Sequence, residues 1–122
     1  MKGDNIIYIK SRAFAIRSGK MYQHLTAEHK ENILSKQFLR AATSIGANVI
    51  EAIHSISQKE FLAKSYIAYK ECAETSYWID ILHELGYITD SEATSMDNDC
   101  TELLKLLSSI TKTTREKLSD KK

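Results

Sequence analysis

Proline is absent from the chain, and glycine occurs four times in 122 residues. Small β-sandwiches and barrels need many turns built on these two residues, and a Gly-rich phosphate loop would need glycine as well. No apolar run approaches the roughly 20 residues that a membrane-spanning helix requires. Residues 1–5 (MKGDN) do not lead into the long apolar core of a secretory signal. These absences argue against a β-rich fold, a phosphate-loop enzyme, a membrane protein and a secreted protein.

Cysteine is also rare, with Cys72 and Cys100 as the two copies. Both lie on helix-like apolar stripes, where a reduced thiol packs as a small hydrophobic side chain. We therefore expect free thiols and a cytoplasmic protein. A chain of this length buries about two-thirds of its unfolded surface in one core. We expect a single domain over residues 1–122, with frayed ends at about 1–6 and 119–122.

Apolar residues recur at a helical period along most of the chain. The first segment runs from about residue 8 to 28, and a polar connection follows it. Asn32 is the predicted N-cap of the second segment, because its side chain can accept a hydrogen bond from a free backbone N–H. The second segment carries one continuous apolar stripe: Leu34, Phe38, Ala41, Ile45, Asn48, Ala52 and Ile56.

Boundary signals separate two further helical segments. Ser57 with Glu60, and Thr89 with Glu92, fit the capping box that begins a helix. Gly86 suits the left-handed residue that ends one. The last segment has a seam of Met96, Cys100, Leu103, Leu107, Ile110 and Thr114. Four amphipathic helices with short connections predict an all-α protein, an antiparallel up-down-up-down four-helix bundle.

The net charge is +1, but residues 1–40 hold eight Lys/Arg and three acidic residues. Such an imbalance predicts a basic face for a phosphate backbone or an acidic partner, the alternative being solvated helix faces. The candidate phosphate contacts are Arg12, Arg17, Lys20, Lys36 and Arg40. Ordinary surface positions or salt bridges between subunits remain the alternative for these five residues.

Carboxylates and histidines give only a partial metal-site pattern. A di-metal bundle needs two Glu-x-x-His motifs and two further Glu, whereas Glu51 with His54 supplies one motif and Asp80 with His83 a weak second. The paired Glu71 and Glu74 suit ion pairs with Arg40 or Lys36 on the preceding helix. No nucleophile accompanies them, so we expect no metal, no cofactor and no enzymatic activity.

Residues 34–52 read LSKQFLRAATSIGANVIEA. This run resembles the LSKQLLRS-TSIGANI-EA signature of the four-helix-bundle family encoded in 23S rRNA intervening sequences, often labelled ribosomal-protein-like. Residues 14–17, 59–61, 68–71, 74–75, 77–78 and 85–88 resemble the family's other helices and connections. The resemblance covers nearly the whole chain and is weakest after Thr89.

The resemblance implies an antiparallel four-helix bundle, ring-like homopentamers and no established enzymatic activity. Relatives include the accessory variability protein of diversity-generating retroelements, which is strongly basic and is thought to bind nucleic acid and a reverse transcriptase. The charge of +1 on this chain departs from that pattern. Repeated around a ring, however, the basic first forty residues would still present a strongly basic surface.

Small side chains in the second segment predict close helix approach, and Gly46 there costs about 1 kcal/mol unless another backbone passes nearby. The residues expected at an oligomer or helix-packing interface are Ser44, Ile45, Gly46, Ala47, Asn48, Glu51 and Trp78. Apolar residues off the stripes, Val49 and Ile50 among them, exceed what one bundle needs. The leading hypothesis is a homo-oligomer, a pentamer, that binds structured RNA or DNA. The alternative is an oligomeric scaffold that docks a polymerase or another protein partner.

Overall fold

The computed structural model describes residues 5–120, which form four α-helices and contain no strand. They are α1 (Ile6–His29), α2 (Leu34–Ile53), α3 (Gln58–Glu84) and α4 (Asp90–Asp120). The all-α prediction is confirmed. Helix α4 continues to Asp120, and fraying of the chain ends stays a prediction, while residues 1–4 and 121–122 lie outside the described part of the chain.

The predicted capping signals begin α3 and α4. Ser57 Oγ accepts the Glu60 N–H at 3.0 Å, and the Glu60 carboxylate in turn accepts the Ile56 N–H at 2.9 Å. At α4 the two residues bond each other: the Glu92 N–H donates to Thr89 Oγ1 at 3.1 Å, and the Thr89 N–H donates to the Glu92 carboxylate at 2.8 Å. Ser57 and Thr89 therefore cap their helices as predicted, and the reciprocal box is complete at Thr89 and Glu92, whereas Glu60 bonds the residue before its cap. The first turn of each helix therefore has partners for backbone donors that would otherwise lack them.

Gly86 ends α3 as the glycine pattern predicts. Its φ of 83° is left-handed, a conformation that glycine adopts without a Cβ penalty. The Gly86 N–H donates to the His83 carbonyl at 3.0 Å, and the Tyr87 N–H donates to the Leu82 carbonyl at 2.9 Å. This pair of bonds is a Schellman motif. It turns the chain so that Ile88 enters the core.

Asn32 does not cap α2, so that prediction is wrong. Asn32 is exposed, and the preceding residue, Glu31, accepts the backbone N–H groups of Ile33, Leu34 and Ser35. The Glu31 side chain is longer by one methylene and reaches the helix end from one position further back. A buried carboxylate therefore begins α2 in place of the predicted amide.

The apolar stripe of α2 also differs from its predicted course. The helix ends at Ile53, which leaves Ile56 96% exposed in the connection to α3. Val49 is buried in the core, whereas Asn48 is half-buried and bonds its own helix at the Ser44 carbonyl. The predicted stripe steps three residues from Ile45 to Asn48, whereas the buried face steps four residues to Val49. Either step is close to the 3.6 residues of one helical turn, so the spacing alone does not decide between the two positions.

Helix α2 packs against α1 and α3, α3 packs against α4, and α1 contacts α4 less extensively. The contacts follow a reversed residue order: Glu51 meets Lys64 while Arg40 meets Glu74, and Cys72 meets Cys100 while His83 meets Asp90. Side chains from all four helices form one buried cluster, which includes Phe14, Phe38, Ile79 and Leu103. None of the helices in residues 5–120 is long and apolar enough to cross a membrane.

Candidate assembly and nucleic-acid surfaces

A shallow groove of about 280 Å³ runs between α1 and α2. Small side chains make it, because Gly46 of α2 lies over Ser11 of α1, whose carbonyl oxygen would be 3.5 Å from a Cβ at position 46. The groove is lined by Tyr8, Ser11, Arg12, Ala15, Thr43, Gly46, Ala47 and Ile50. The expectation that another backbone passes close to Gly46 is therefore confirmed.

Four of the five predicted phosphate contacts are exposed, and three of these four lie apart from the acids of α3 and α4: Arg12, Lys20 and Lys36. None of the three forms an ion pair with any residue between 5 and 120. Lys20 lies nine residues along α1 from Ser11, and Lys36 lies ten residues back along α2 from Gly46. Each is thus about 14 Å along its helix from the Ser11–Gly46 contact. We call Arg12, Lys20 and Lys36 the basic edge.

Arg17 lies elsewhere, in the groove between α1 and α4. One guanidinium nitrogen is 2.7 Å from Asp99 Oδ2, and the other donates to Ser95 Oγ at 2.6 Å. Lys10 forms a similar pair with Glu102 at 3.0 Å on the same side. Asp99 and Glu102 of α4 therefore neutralise these two cations, and the ion pairs connect α1 to α4.

Arg40 lies between α2 and α3, where it pairs with Glu71 at 3.5 Å and with Glu74. The predicted ion pairs of Glu71 and Glu74 with Arg40 are confirmed, whereas Lys36 takes no part. A hydrogen bond from the Trp78 indole N–H at 2.9 Å, aided by Arg40 and opposed by burial, lowers the pKa of Glu74. The bond with Glu74 raises the pKa of Arg40. The site is a satisfied ion-pair network.

The five predicted cations therefore do not share one surface. Arg17 faces α4, Arg40 faces α3, and the basic edge holds the other three. Ion pairing lowers the charge that Arg17 and Arg40 can offer to a phosphate, because a phosphate would have to displace a carboxylate. Spacing along α1 and α2 could not reveal this division, since it depends on acids placed by α3 and α4.

The predicted interface residues lie in the core, in the α1–α2 groove and at the contact between α2 and α3. Ile45 is fully buried in the core, so it packs helices together. Gly46 and Ala47 line the α1–α2 groove. Glu51 pairs with Lys64 of α3 at 2.7 Å. Trp78 is half-buried, donates to Glu74 and packs against the core.

Ser44 and Asn48 complete the predicted interface set, on the same side of α2 as Arg40 and Glu51. The Ser44 hydroxyl donates to the Arg40 carbonyl at 2.6 Å, and the Asn48 amide donates to the Ser44 carbonyl at 2.9 Å. Both side chains bond their own helix. The other members of the set pack within the chain or line its grooves, and contact with a second chain stays a prediction for all seven.

A second groove, between the end of α3 and the start of α4, is acidic. It is lined by Ala73, Ser76, Tyr77, Ile79, Asp80, His83, Ala93, Thr94 and Asp97. Asp97 accepts the Ser76 hydroxyl at 2.8 Å, while Asp80 is exposed. Glu84 follows Asp80 by one helical turn and is also exposed. We call Asp80, Glu84 and Asp97 the acidic edge.

The acidic edge was missed by the sequence argument, although the sequence contains a signal for it. Residues 71–104 carry nine acidic residues and no Lys or Arg. The charge imbalance of residues 1–40 drew attention to the basic end of the chain and away from this run. A search for long stretches that lack one sign of charge would have found it.

The incomplete metal pattern does not assemble into a site. Between residues 5 and 120, no three His, Cys, Asp or Glu side chains are placed to hold a metal ion. Glu51 is engaged by Lys64, and the exposed His54 lies at the end of α2. His83 bonds Asp90 at 2.6 Å across the α3–α4 connection, and this bond raises the pKa of His83. Glu51 and His83 are thus held in separate contacts, and the side chains of the two Glu-x-x-His-like motifs do not meet at one site.

These features define an all-α, four-helix protein with a groove of small side chains between α1 and α2, an acidic groove between α3 and α4, and a network of surface ion pairs. Residues 3–109 match the model of the 23S rRNA-intervening sequence protein family, and the chain belongs to that family. It is also similar to a solved protein of unknown function from the S23 ribosomal protein family of Bacteroides thetaiotaomicron. The two are 46% identical with a TM-score of 0.86, over 87% of this chain and 98% of that one. No curated protein matches the chain.

Proposed function

We propose that this protein is a non-enzymatic assembly module of the cytoplasm. In this proposal one domain, an antiparallel up-down-up-down bundle, associates into a ring-like homo-oligomer, a pentamer, that serves as a docking scaffold for a protein partner. The reversed order of contacts supports the antiparallel arrangement, since Glu51 and Arg40 of α2 meet Lys64 and Glu74 of α3 in opposite sequence.

A second apolar face on α1 carries the proposal of self-association. Ile7, Phe14 and Leu25 of this helix point into the core. Ile6, Ile9 and Ile16 lie on the other side and are 52%, 45% and 45% exposed. Exposed isoleucines at helical spacing form an apolar stripe, which a soluble chain gains free energy by covering.

The carboxylates and thiols that would suggest catalysis are engaged in structural contacts, which supports a non-enzymatic role. Glu71 and Glu74 hold Arg40, and Glu51 holds Lys64. A catalytic carboxylate pair needs a free proton-accepting position beside a substrate.

Light scattering on the purified chain tests the proposal. We expect a single species at a multiple of 13.9 kDa at micromolar concentration. The double variant Ile9→Glu, Ile16→Glu should shift the mass to that of one chain while the helical circular dichroism is retained. Ile56→Glu is the matched control, because Ile56 is exposed but lies off α1. A wild-type mass of one chain would refute self-association.

The basic edge favours a second candidate function, binding of structured RNA or DNA. Arg12, Lys20 and Lys36 are exposed and without acidic partners among the described residues, so they are available to phosphates. Fluorescence anisotropy with a labelled structured RNA at several salt concentrations tests this function. Each Lys→Ala change should weaken binding to every sequence and flatten the salt slope by about 1. Arg17→Ala, which removes a paired cation, should change the slope less.

A further inference from the structure

We propose that copies of this chain associate head to tail, with the basic edge and outer face of α1 of one copy against the acidic edge of the next. The inference rests on the proposed self-association and names the two surfaces that meet. The occupant of each edge is therefore a second copy of the chain.

Charge complementarity points to this occupant. The basic edge (Arg12, Lys20, Lys36) has no acidic partner between residues 5 and 120, and no Lys or Arg occurs anywhere in residues 71–104, which contain the acidic edge. Helices α1 and α2 hold six Lys/Arg and two Asp/Glu, whereas α3 and α4 hold seven Lys/Arg and twelve Asp/Glu, so the two helix pairs have net charges of opposite sign. Like edges would repel, and only unlike edges attract.

The two edges belong to different helix pairs. The basic edge is on α1 and α2, and the acidic edge is on α3 and α4, so they share no helix. No ion pair between residues 5 and 120 joins one edge to the other. A head-to-tail contact between two different patches is heterologous, and its repetition produces a closed ring or an open chain of subunits.

Lys36 of the basic edge and Asp80 of the acidic edge lie at a similar height along the helices. The Arg40–Glu74 ion pair fixes the register of α2 against α3. Lys36 is four residues from Arg40 and Asp80 is six residues from Glu74, on the side away from the Glu51–Lys64 pair. These offsets are about 6 Å and about 9 Å. Rotation about an axis parallel to the helices preserves height, so such a rotation brings Lys36 of one copy level with Asp80 of the next.

Apolar side chains accompany both edges. Ile9 and Ile16 lie on the outer face of α1 together with Lys20, and all three are exposed. Tyr77 is 56% exposed one turn before Asp80 on α3. An apolar centre flanked by charges of opposite sign is the usual composition of a specific interface.

Charge reversal tests the pairing of edges. Lys20→Glu with Lys36→Glu, and separately Asp80→Lys with Glu84→Lys, should each reduce the light-scattering mass to that of one chain. Mixing the two variants should restore association, because contacts between one variant and the other are again between unlike charges. The two variants must alternate, so the mixed species should contain an even number of chains, and its mass should differ from that of a pentamer. Glu116→Lys with Asp120→Lys is the control, since it reverses exposed acids at the other end of α4.

The outcomes separate this inference from the proposed function. If the wild type is oligomeric and both edge variants keep its mass, the head-to-tail pairing is wrong and self-association stands. If the wild type has the mass of one chain, both fail. If that single chain binds RNA and the double variant Lys20→Glu, Lys36→Glu does not, the basic edge is a nucleic-acid surface. Circular dichroism of each variant, with Lys20→Gln and Lys36→Gln as milder substitutions, distinguishes loss of contact from loss of fold.

Discussion

Glu31 and Ser35 bond each other twice at the start of α2. The Ser35 backbone N–H donates to Glu31 Oε2 at 2.7 Å, and the Ser35 hydroxyl donates to the Glu31 carbonyl oxygen at 2.9 Å. Glu31 Oε1 accepts the N–H groups of Ile33 and Leu34 at 3.3 and 2.9 Å. One buried carboxylate therefore satisfies three backbone donors that the helix geometry leaves without partners.

Replacement of Glu31 by Gln should lower the free energy of unfolding by about 1 to 2 kcal/mol, the scale of a lost N-cap. The amide has one acceptor oxygen and cannot serve three donors as the carboxylate does. Urea unfolding at neutral pH measures the change. Glu28→Gln is the control, because Glu28 is exposed near the end of α1. Equal midpoints for the two variants would show that the cap contributes nothing.

The same cap predicts a loss of stability in acid. Burial alone raises the pKa of Glu31, but the hydrogen bonds from Ser35, Leu34 and Ile33 outweigh it and lower the pKa below 4.5. A depressed folded pKa stabilises the folded state above the unfolded pKa, and this contribution is lost as pH falls through the folded pKa. The gap in stability between wild type and Glu31→Gln should therefore narrow as the pH is lowered below about 4. A difference in unfolding free energy between the two proteins that stays constant in this pH range would contradict the lowered pKa of Glu31.

Ser18 offers a stabilising substitution. Its hydroxyl is fully buried and is the one buried side-chain N or O atom in residues 5–120 without a hydrogen-bond partner. Ser18→Ala removes an unsatisfied polar group at almost no cost in volume, and it improves helix propensity. Stability should rise by about 1 kcal/mol. Ser35→Ala is the comparison, since that hydroxyl donates to Glu31 and its loss should destabilise the fold.

Most of the fold was predictable because its determinants are local. The N-caps at Ser57 and Thr89 and the left-handed Gly86 act within one turn of chain, and the structure has all three. The start of α2 was not predictable in the same way. Asn32 is the better cap by residue preference, yet Glu31 wins because the folded chain buries its carboxylate over the helix end.

The surfaces were less predictable, since they depend on partners distant in sequence. Arg17 and Arg40 belong to the same basic stretch as Lys20, but acids on α4 and α3 neutralise them. A helical wheel of α1 or α2 alone does not include Asp99 of α4 or Glu74 of α3. The charge of a surface is set by which helices become neighbours, and that information lies in tertiary packing.

The two cysteines should be inert toward thiol reagents in the folded protein. The Cys100 side chain and burial raise the pKa of the Cys72 thiol far above the usual range, and the thiolate is the reactive species. Each thiol also donates to the other residue's carbonyl oxygen, at 3.9 and 3.3 Å. Reaction with an aromatic disulfide reagent should be at least about a hundredfold slower than in concentrated guanidinium, because it requires opening of the α3–α4 contact. Rapid labelling of the native chain would contradict this expectation.

His83 should titrate at a raised pKa. The hydrogen bond to Asp90 raises its pKa above 6.5, so protonated His83 connects the last turn of α3 to the first turn of α4. A raised folded pKa stabilises the folded state below the unfolded pKa, and the effect is lost as pH rises through the folded pKa. NMR titration, assigned with His83→Gln, measures the value. Asp90→Asn should lower it, whereas Asp120→Asn should leave it in place.

Gly46→Ala tests whether the close approach of α1 and α2 requires glycine. A Cβ at this position would be 3.5 Å from the Ser11 carbonyl oxygen and from the Ser11 hydroxyl, which is ordinary van der Waals contact. Alanine is favoured over glycine inside a helix by about 1 kcal/mol, so the variant should be more stable by up to that amount. Gly19→Ala is the reference, because a Cβ there meets nothing within 4 Å. Thermal unfolding of both variants gives the comparison. A stabilised Gly19→Ala beside a destabilised Gly46→Ala would mean that the α1–α2 contact has no room for one methyl group.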